Sequence, residues 1–242
     1  MNSLFLIANR ELSTFFSTWM GYVIGAAALF INGILFNAYA ISDEPRFSSE
    51  VLYQFFYYSS GIAMVAGIFL AMRLLSEEKS QGTIVLYFTS PLTERQVIYG
   101  KFLSVVVFFT GLQILSLYLP ALILLEGRIS AGHLASGYLG TSLLGFSVLA
   151  ITLFASTISP NQLISGILAA SITVVFLTMW LLSSVVDEPL RDVFSFLAIH
   201  NTHFNSFSRG LVHTKDVVYY LSVIIFFLEC AIRALESRRV EG

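Results

Sequence analysis

Long apolar stretches without charge dominate the chain and predict a series of membrane-spanning helices. A bilayer core about 30 Å thick requires about 20 apolar residues in helical form. No charged residue lies in Leu12–Ser42, and no Asp, Glu, Lys or Arg lies in Ile129–Val186. The second stretch is long enough for two spans, and the turn-forming cluster Ser159–Gln162 divides it. The pattern predicts six spans, at about Trp19–Ala40, Val51–Met72, Phe102–Leu125, Ala135–Thr157, Leu163–Val186 and Val217–Leu235.

The first 17 residues show the pattern of a helix that lies in the membrane interface before the first span. One side of a helical wheel over Asn2–Phe16 carries Leu4, Phe5, Ala8, Leu12, Phe15 and Phe16. The opposite side carries Asn2, Asn9, Arg10, Ser13 and Ser17. Such a two-sided helix lies along the bilayer surface. The alternative is a frayed extension of the first span.

Composition agrees with a polytopic membrane protein. Of the 242 residues, 56% are hydrophobic and 12% are charged, and the mean hydropathy is +0.80. Soluble domains carry about 25% charged residues, so a disordered chain and a cytosolic enzyme are excluded. We expect an all-α protein with one transmembrane domain over residues 1–242. The net charge of −2 gives no electrostatic argument for nucleic acid. The single cysteine, Cys230, excludes an internal disulfide and a cysteine-based metal cluster.

The distribution of basic residues predicts the orientation. Six spans place both termini on one side, together with Arg10, Arg73, Lys79, Arg95, Lys101, Arg233, Arg238 and Arg239. The other side carries Arg46, Arg128, Arg191, Arg209 and Lys215, of which the last three share one long loop. The positive-inside rule therefore predicts cytoplasmic termini. The sixth span contains Glu229 and Arg233 in its last turns, where long side chains reach the interface.

The densest charge lies in Arg73–Lys101, and we call its first part, residues 73–95, the elbow. Gly82 permits a sharp chain reversal, and Pro91 disfavours helix at the preceding residue. Between them a short helix is predicted. Thr93 and Gln96 match a capping box, so a new helix is expected to start there. The polar rim and an exposed aromatic pair, Tyr87-Phe88, favour a docking site for a soluble partner. The alternative is an ordinary solvated loop.

The loop of residues 187–216 on the opposite side is long, which indicates either function or disorder. After Pro189, apolar residues recur with helical spacing at Leu190, Val193, Phe194, Leu197 and Ala198. We expect an amphipathic helix here that dips into the outer leaflet or caps the bundle. The second half of the loop is polar and contains Gly210.

The sequence lacks the motifs of several catalytic classes. It contains no G-x-x-x-x-G-K-[ST], no G-x-S-x-G and no H-E-x-x-H, so we expect no ATP binding through a P-loop and no enzyme activity of this chain. His200 and His203 share one predicted helical face, with His213 nearby. No carboxylate or thiol pattern completes a site with them, so no metal is expected.

Polar residues within the spans are few. The first five predicted spans contain no ionisable Asp, Glu, Lys or Arg, which disfavours an ion-coupled carrier. Asn32, Asn37 and Gln113 are candidates for a polar path, and the alternative is hydrogen bonding between helices. Gly21 and Gly25 form a G-x-x-x-G pattern that permits close helix contact within or between subunits.

The elbow resembles the corresponding segment in permease subunits of the ABC-2 family of bacterial ABC transporters. That family shows two acidic residues, a Gly-Thr pair, a short hydrophobic helix, a proline and a Gly-Lys pair that opens the third span. The matching residues here are Glu77-Glu78, Gly82-Thr83, Pro91 and Gly100-Lys101. The sequence departs from the family at Val85, where an acidic residue is usual, and at Tyr87-Phe88, which replace a leucine pair. Two further segments, Phe154–Gln162 and Phe204–Tyr219, look like the gliding-motility-associated permeases of gliding bacteria.

The resemblance implies a permease subunit that forms half of a twelve-span dimer, as a homodimer or a heterodimer, above two separate ATPase subunits. ATP and magnesium would be bound by the ATPase subunits, and this chain would bind no cofactor. The implied architecture has an interfacial connecting helix over residues 1–17, a coupling helix at about Gln81–Phe88, and re-entrant helices in the loop of residues 187–216. The implied ATPase-coupling residues are Glu77, Glu78, Gly82, Thr83, Leu86, Tyr87, Phe88 and Pro91.

The leading hypothesis is therefore an ATP-driven exporter subunit in the bacterial inner membrane. An alternative is a membrane module without cargo, which transmits cytoplasmic ATP hydrolysis to an envelope or motility partner. An ion-coupled carrier and an intramembrane enzyme are the remaining alternatives.

Overall fold

A computed structural model describes residues 3–40, 47–123 and 130–241, and in these ranges every regular element is helical. Six helices are long and apolar enough to cross a membrane, which confirms the predicted all-α fold with six spans. The α-helices are α1 Ser3–Ser17, α2 Trp19–Leu35, α3 Ser48–Ala71, α4 Ser76–Ser80, α5 Val85–Phe88, α6 Glu94–Ser116, α7 Tyr118–Ile123, α8 Ala131–Ile158, α9 Gln162–Ser183, α10 Leu190–Leu197, α11 Phe204–Ser208 and α12 Thr214–Glu241. A π-helical turn, Phe36–Ala40, extends α2.

The third span differs most from its predicted bounds. The apolar run of this span was placed from Phe102 onward, whereas its helix α6 begins at Glu94, because the capping box predicted at Thr93 forms and starts the helix there as expected. The Thr93 hydroxyl accepts the Gln96 backbone N–H at 3.3 Å, and the Gln96 side chain accepts the Thr93 N–H at 3.2 Å. Lys101 lies inside this helix. Asn2, Arg46, Leu125 and Arg128 lie outside the described residues.

Helix α8 forms the centre of the bundle. Its most apolar window is 78% buried, whereas the corresponding windows of α2 and α9 are 17% buried. Glycines on α8 allow aromatic rings to approach its backbone. A Cβ atom added at Gly137 would lie 2.1 Å from the Phe56 ring, and one at Gly145 would lie 2.4 Å from the Phe109 ring. Small residues thus permit close packing around a central helix.

The N-terminal segment forms the predicted helix, α1, and part of it packs on the protein. Ile7, Ala8 and Phe15 are buried, and α1 packs along α6. Phe5 and Phe16, on the predicted apolar side, are 58% and 55% exposed. The predicted contact of this side with the membrane interface stays a prediction.

The long loop of residues 187–216 is folded onto the spans. Helix α10 begins at Leu190, directly after Pro189, and covers the predicted amphipathic segment except Ala198. It packs against α9, and α11 packs against α8. Phe204 and Phe207 of α11 are buried in the core. The position of these helices relative to a membrane remains a prediction.

Candidate functional site at the elbow

The elbow contains the two short helices α4 and α5, joined by a tight turn at Gly82. Gly82 has φ +72°, in the left-handed region, and its N–H donates to the Lys79 carbonyl at 3.1 Å. The Thr83 N–H donates to the Glu78 carbonyl at 2.9 Å. These two bonds are those of a Schellman motif, in which glycine ends a helix and reverses the chain. The predicted reversal at Gly82 is confirmed.

A buried ionic cluster joins the elbow to α1 and α6. The Lys101 side chain is fully buried, and its Nζ lies 2.9 Å from Glu11 Oε1 and 2.8 Å from Glu78 Oε1. The Tyr87 hydroxyl donates to the same Glu78 oxygen at 2.8 Å. Lys101 Nζ also lies 5.4 Å from the centre of the Tyr87 ring. We call Glu11, Glu78, Tyr87 and Lys101 the lysine cluster.

The lysine cluster contains two carboxylates for one ammonium group. Isolated buried charges are very unfavourable, so each carboxylate depends on Lys101 and its hydrogen bonds. Burial raises the pKa of the Tyr87 hydroxyl to about 12, so this group remains a protonated donor at neutral pH. Glu78 Oε2 is buried without a hydrogen-bond partner. It adjoins a cleft of about 210 Å³ whose other walls include Arg10 and Leu86.

Gly100 explains how α1 comes close enough for this ion pairing. A Cβ atom added at Gly100 would lie 2.9 Å from the Ile7 side chain and 3.0 Å from the Leu4 carbonyl oxygen. The missing side chain lets α1 lie directly on α6, one residue before Lys101. The Gly-Lys pair thus has two linked roles: close helix contact and charge pairing across that contact.

A second set of contacts ties the elbow to the central helix α8. The Ser156 hydroxyl accepts the backbone N–H groups of Leu75 and Ser76 at 3.0 and 2.9 Å. The Lys79 ammonium group donates to the carbonyls of Thr157 and Ser159. These carbonyls lie at the C-terminus of α8, where the helix dipole favours a cation. The elbow is therefore attached to α1 and α6 through Glu78 and to α8 through Lys79.

The outward tip of the elbow is apolar and exposed. Leu86 is 68% exposed and Val85 is 56% exposed. Gly82 and Pro91 are also exposed, and Thr83 is half-buried. Exposed apolar side chains on a short, firmly attached helix are typical of a surface that contacts another protein.

Tyr87, one of the implied coupling residues, differs from the expectation of an exposed aromatic pair. Tyr87 is half-buried and its hydroxyl points into the lysine cluster, because Glu78 offers a buried acceptor there. The side chain of Phe88 lies outside the described part of the structure. Glu77, unlike Glu78, lies toward solvent, 3.8 Å from Arg73 Nε. The two acidic residues of the elbow therefore have different environments.

Gly21 and Gly25 lie at contacts within the chain. A Cβ atom at Gly21 would lie 2.2 Å from the Phe15 carbonyl oxygen, and one at Gly25 would lie 2.9 Å from the Leu112 side chain. The first contact joins α2 to the end of α1, and the second joins α2 to α6. Of the two possibilities left open by the G-x-x-x-G pattern, the structure contains packing within one subunit.

The three path candidates lie in different surroundings. The Ser59 hydroxyl donates to Asn32 Oδ1 at 2.7 Å, and the Ser142 hydroxyl donates to Gln113 Oε1 at 2.7 Å. Asn37 lies in the π-helical turn and is exposed. Asn32 and Gln113 also border a cavity of about 50 Å³ between α2, α3, α6 and α8. This volume accommodates a few water molecules and no larger cargo.

The histidines of the long loop bind protein groups. His200 Nε2 lies 2.7 Å from Ser60 Oγ, and burial lowers the pKa of His200. His203 Nδ1 lies 2.8 Å from Asp216 Oδ1, and its Nε2 lies 2.9 Å from the Phe196 carbonyl oxygen. His213 is exposed. Within the described ranges, no three His, Cys, Asp or Glu side chains lie together as metal ligands would.

Sequence reasoning missed three parts of this site. Glu11 carried a signal, since it lies four residues from both Ile7 and Phe15 on a face that proves to be buried. Lys101 was noted in the Gly-Lys pair that opens the third span, but no local pattern indicated its ion pairs with Glu11 and Glu78. Ser156 carried no signal, because hydroxyl residues are frequent throughout α8 and only the tertiary structure selects one of them.

Comparison with known proteins supports one family. A family model described as "ABC-2 family transporter protein" matches residues 10–234, which is nearly the whole chain. The match includes α1 from Arg10 onward, the elbow and all six spans. A search of curated proteins found no match.

Proposed function

The chain belongs to the ABC-2 family of transporter proteins, and on that premise we propose that it is the permease subunit of an ATP-driven exporter, with a separate ATPase subunit docked on the elbow. Membership makes it the membrane component of an ABC transporter and a multi-pass membrane protein. A subunit of this kind is normally non-catalytic, and it requires an ATPase partner and a lipid bilayer.

The observation that carries the coupling proposal is the double attachment of the elbow. Its apolar tip, Val85 and Leu86, is exposed, while Glu78 and Lys79 bind different parts of the bundle. A partner that moves the tip therefore acts on α1 and α6 through Glu78 and on α8 through Lys79. A ligand shifts a conformational equilibrium only through contacts that differ between the states. ATP-dependent closure of the docked subunits supplies such a difference at this surface.

The proposal extends to assembly and orientation. Two permease chains together form the pathway. Helices α2 and α9, the spans least buried within the chain, are the candidates for the contact between subunits. The elbow and both termini face the cytoplasm of a bacterial cell, and the protein lies in the inner membrane.

A second candidate function is mechanical transmission without cargo, on an envelope or motility partner, as in the gliding-motility-associated permeases that two segments look like. Transport of candidate cargo into inverted vesicles distinguishes the two functions. Both functions require the same ATPase contact.

The coupling proposal is tested by a charge at the tip. We expect Leu86→Asp to abolish co-purification of the ATPase subunit from native membranes and to abolish its stimulated ATP hydrolysis, with unchanged helical content. The matched control is Leu211→Asp, which introduces the same charge at an exposed leucine beyond α11, at the other end of the bundle. Equal co-purification in both variants would show that the tip is not the docking surface.

Orientation is tested by thiol labelling. Replacement of Cys230 by serine removes the only native thiol, after which Leu86→Cys and Leu211→Cys supply one thiol at each end. We expect an impermeant maleimide to label position 211 in intact spheroplasts and position 86 only in inverted vesicles. The reverse pattern would overturn the proposed orientation.

A further inference from the structure

A polar cleft lies at the end of the bundle opposite the elbow. Helix α9 begins beside the C-terminus of α8, to which the elbow is attached, so its last turn lies at the other end. There, α9, α10 and the residues after α10 enclose a cleft of about 630 Å³. Its lining consists of Trp180, Ser183, Ser184, Glu188, Arg191, Asp192, Ser195, Asn201 and Thr202.

The wall formed by α10 is fixed in place by side chains from elsewhere in the fold. The carbonyl groups near the end of α10 accept hydrogen bonds from Tyr219 at 2.9 Å, from Tyr220 at 2.7 Å and from His203 at 2.9 Å. His203 is held in turn by Asp216 at 2.8 Å. Ligand sites are usually formed before binding, because ordering a loop on binding reduces affinity. The cleft therefore has a rigid frame.

The volume and lining of the cleft limit the chemistry of its ligand. Ligand pockets commonly measure about 300–1,000 Å³, so the cleft has the size of a small-molecule site. No aliphatic side chain lines it, so a lipid chain has no apolar wall to contact. Two carboxylates oppose one guanidinium group, Arg191, and the resulting negative charge disfavours a phosphate or another anion.

The remaining groups match a neutral sugar. Trp180 lines the cleft, its side chain is 42% exposed overall, and an indole has a flat aromatic face. One side of a pyranose ring carries only C–H groups, which pack on such a face, while its hydroxyls require donors and acceptors around the rim. Carboxylates accept two hydroxyl donors, and an amide both donates and accepts. Asp192, Glu188 and Asn201 supply these groups, and hydrogen bonds to charged groups are the stronger ones.

We propose that this cleft binds a neutral saccharide of disaccharide size, with a sugar ring stacked on Trp180 and its hydroxyls bonded to Asp192 and Asn201. The site lies within a single chain and is independent of the ATPase contact at the elbow. The sugar is either free in solution or the headgroup of a glycolipid, since both present the same ring and hydroxyl groups.

The test uses the fluorescence of Trp180. The chain has two tryptophans, so Trp19→Phe leaves Trp180 as the only indole. The full chain is placed in phospholipid nanodiscs, without glycoside detergent, because a maltoside headgroup would occupy the site. Maltose, cellobiose and N,N′-diacetylchitobiose are titrated in one arm. In the second arm the nanodiscs contain digalactosyldiacylglycerol.

We expect a saturable change in Trp180 emission in at least one arm, and the responding arm identifies the source of the sugar. Asp192→Ala should weaken binding about tenfold or more, the usual effect of losing a hydrogen bond to a charged group. The matched control, Asp187→Ala, removes a neighbouring exposed carboxylate that does not line the cleft, and should bind as the parent does. Trp180→Phe lacks the fluorescent reporter, so its sugar binding is measured by calorimetry. This binding should be weaker than that of the parent.

Three results would overturn the proposal. One is the absence of a saturable response in both arms. Another is equal binding by Asp192→Ala and Asp187→Ala, which would place the sugar elsewhere. The last is displacement of the sugar by millimolar inorganic phosphate, which would identify an anion site. Loss of sugar binding should leave co-purification of the ATPase subunit unaffected. Failure of this proposal can therefore be distinguished from failure of the docking proposal at the elbow.

Discussion

Each end of the bundle contains a buried pair of hydrogen-bonded side chains, but the two pairs differ in composition and surroundings. At the elbow, one lysine faces two carboxylates. At the opposite end, one histidine faces one aspartate, and neighbouring tyrosines donate to backbone carbonyls. Each pair includes a buried carboxylate oxygen without a hydrogen-bond partner, Glu78 Oε2 and Asp216 Oδ2. The elbow presents an exposed apolar tip beside its pair, whereas the opposite end presents a polar cleft. The two ends therefore offer surfaces of different chemistry.

The pairs also connect different numbers of elements. Lys101 holds three separate helices together, since Glu11, Glu78 and Lys101 come from α1, α4 and α6. His203 holds only the loop of residues 187–216 against the start of α12. Loss of the first pair should therefore affect the whole fold, and loss of the second should remain local. Four substitutions follow in decreasing order of expected effect. The first two test this difference, and the last two test contacts at the elbow.

The largest effect is expected for Lys101→Met. Removing the fully buried ammonium group leaves Glu11 and Glu78, whose side chains are mostly buried, without its charge, and breaking a buried ion pair in this way costs about 3–5 kcal/mol. Thermal unfolding in nanodiscs, followed by circular dichroism, measures the loss. Arg95→Met is the control, because its pair with Glu229 at 3.9 Å is exposed, and such pairs contribute about 0–1 kcal/mol. Similar melting of the two variants would show that the lysine cluster does not stabilise the fold.

A smaller and local effect is expected for His203→Phe. Asp216 is fully buried and would lose its hydrogen bond to His203, at a cost of about 3 kcal/mol. Hydrogen exchange should become faster in α10 and at the start of α12, while protection in α4 and α5 stays unchanged. His213→Phe alters an exposed histidine of the same loop and should leave exchange unchanged. Faster exchange at the elbow in His203→Phe would contradict the separation of the two ends.

Gly100→Ala tests the close contact between α1 and α6. The added methyl group meets Ile7 and the Leu4 carbonyl, and overpacking of this kind costs about 2 kcal/mol. The control is Gly111→Ala in the same helix, where nothing lies within 4 Å of the added Cβ atom. Because alanine has a higher helix propensity than glycine, this variant should be as stable as the parent or slightly more stable. The melting temperatures of the pair provide the measurement. A stabilised Gly100→Ala would exclude the close contact.

The smallest effect on stability is expected for Gly82→Val. The left-handed backbone at φ +72° is strained for a β-branched residue by about 1 kcal/mol or more. Gly82→Asn is the graded control, since asparagine adopts this conformation more readily. We expect stimulated ATP hydrolysis to fall in the order glycine, asparagine, valine. Equal activity of all three would indicate that the turn has no role in coupling.

The features that could be predicted from the sequence are those that depend on neighbouring residues, and the features that could not depend on residues far apart in the chain. The six spans and the helix start at Thr93 depend on local pattern, so they could be predicted from the sequence. The residues of α1 that pack on α6 could not be predicted, because hydrophobicity alone gives no reason to place Glu11 beside Lys101. The partnership of Leu75 and Ser76 with Ser156 links positions about 80 residues apart. Nothing in a local pattern selects that serine among the hydroxyls of α8.

Helix α4 is barely longer than one turn, yet its neighbouring residues Glu78 and Lys79 bind different helices, α6 and the C-terminus of α8. Because the backbone of so short a helix fixes the angle between adjacent side chains, α4 cannot move away from one of these helices without changing its contact with the other. If a partner pushes on the elbow as proposed, a single displacement of α4 would therefore reach the outer helix and the central helix together.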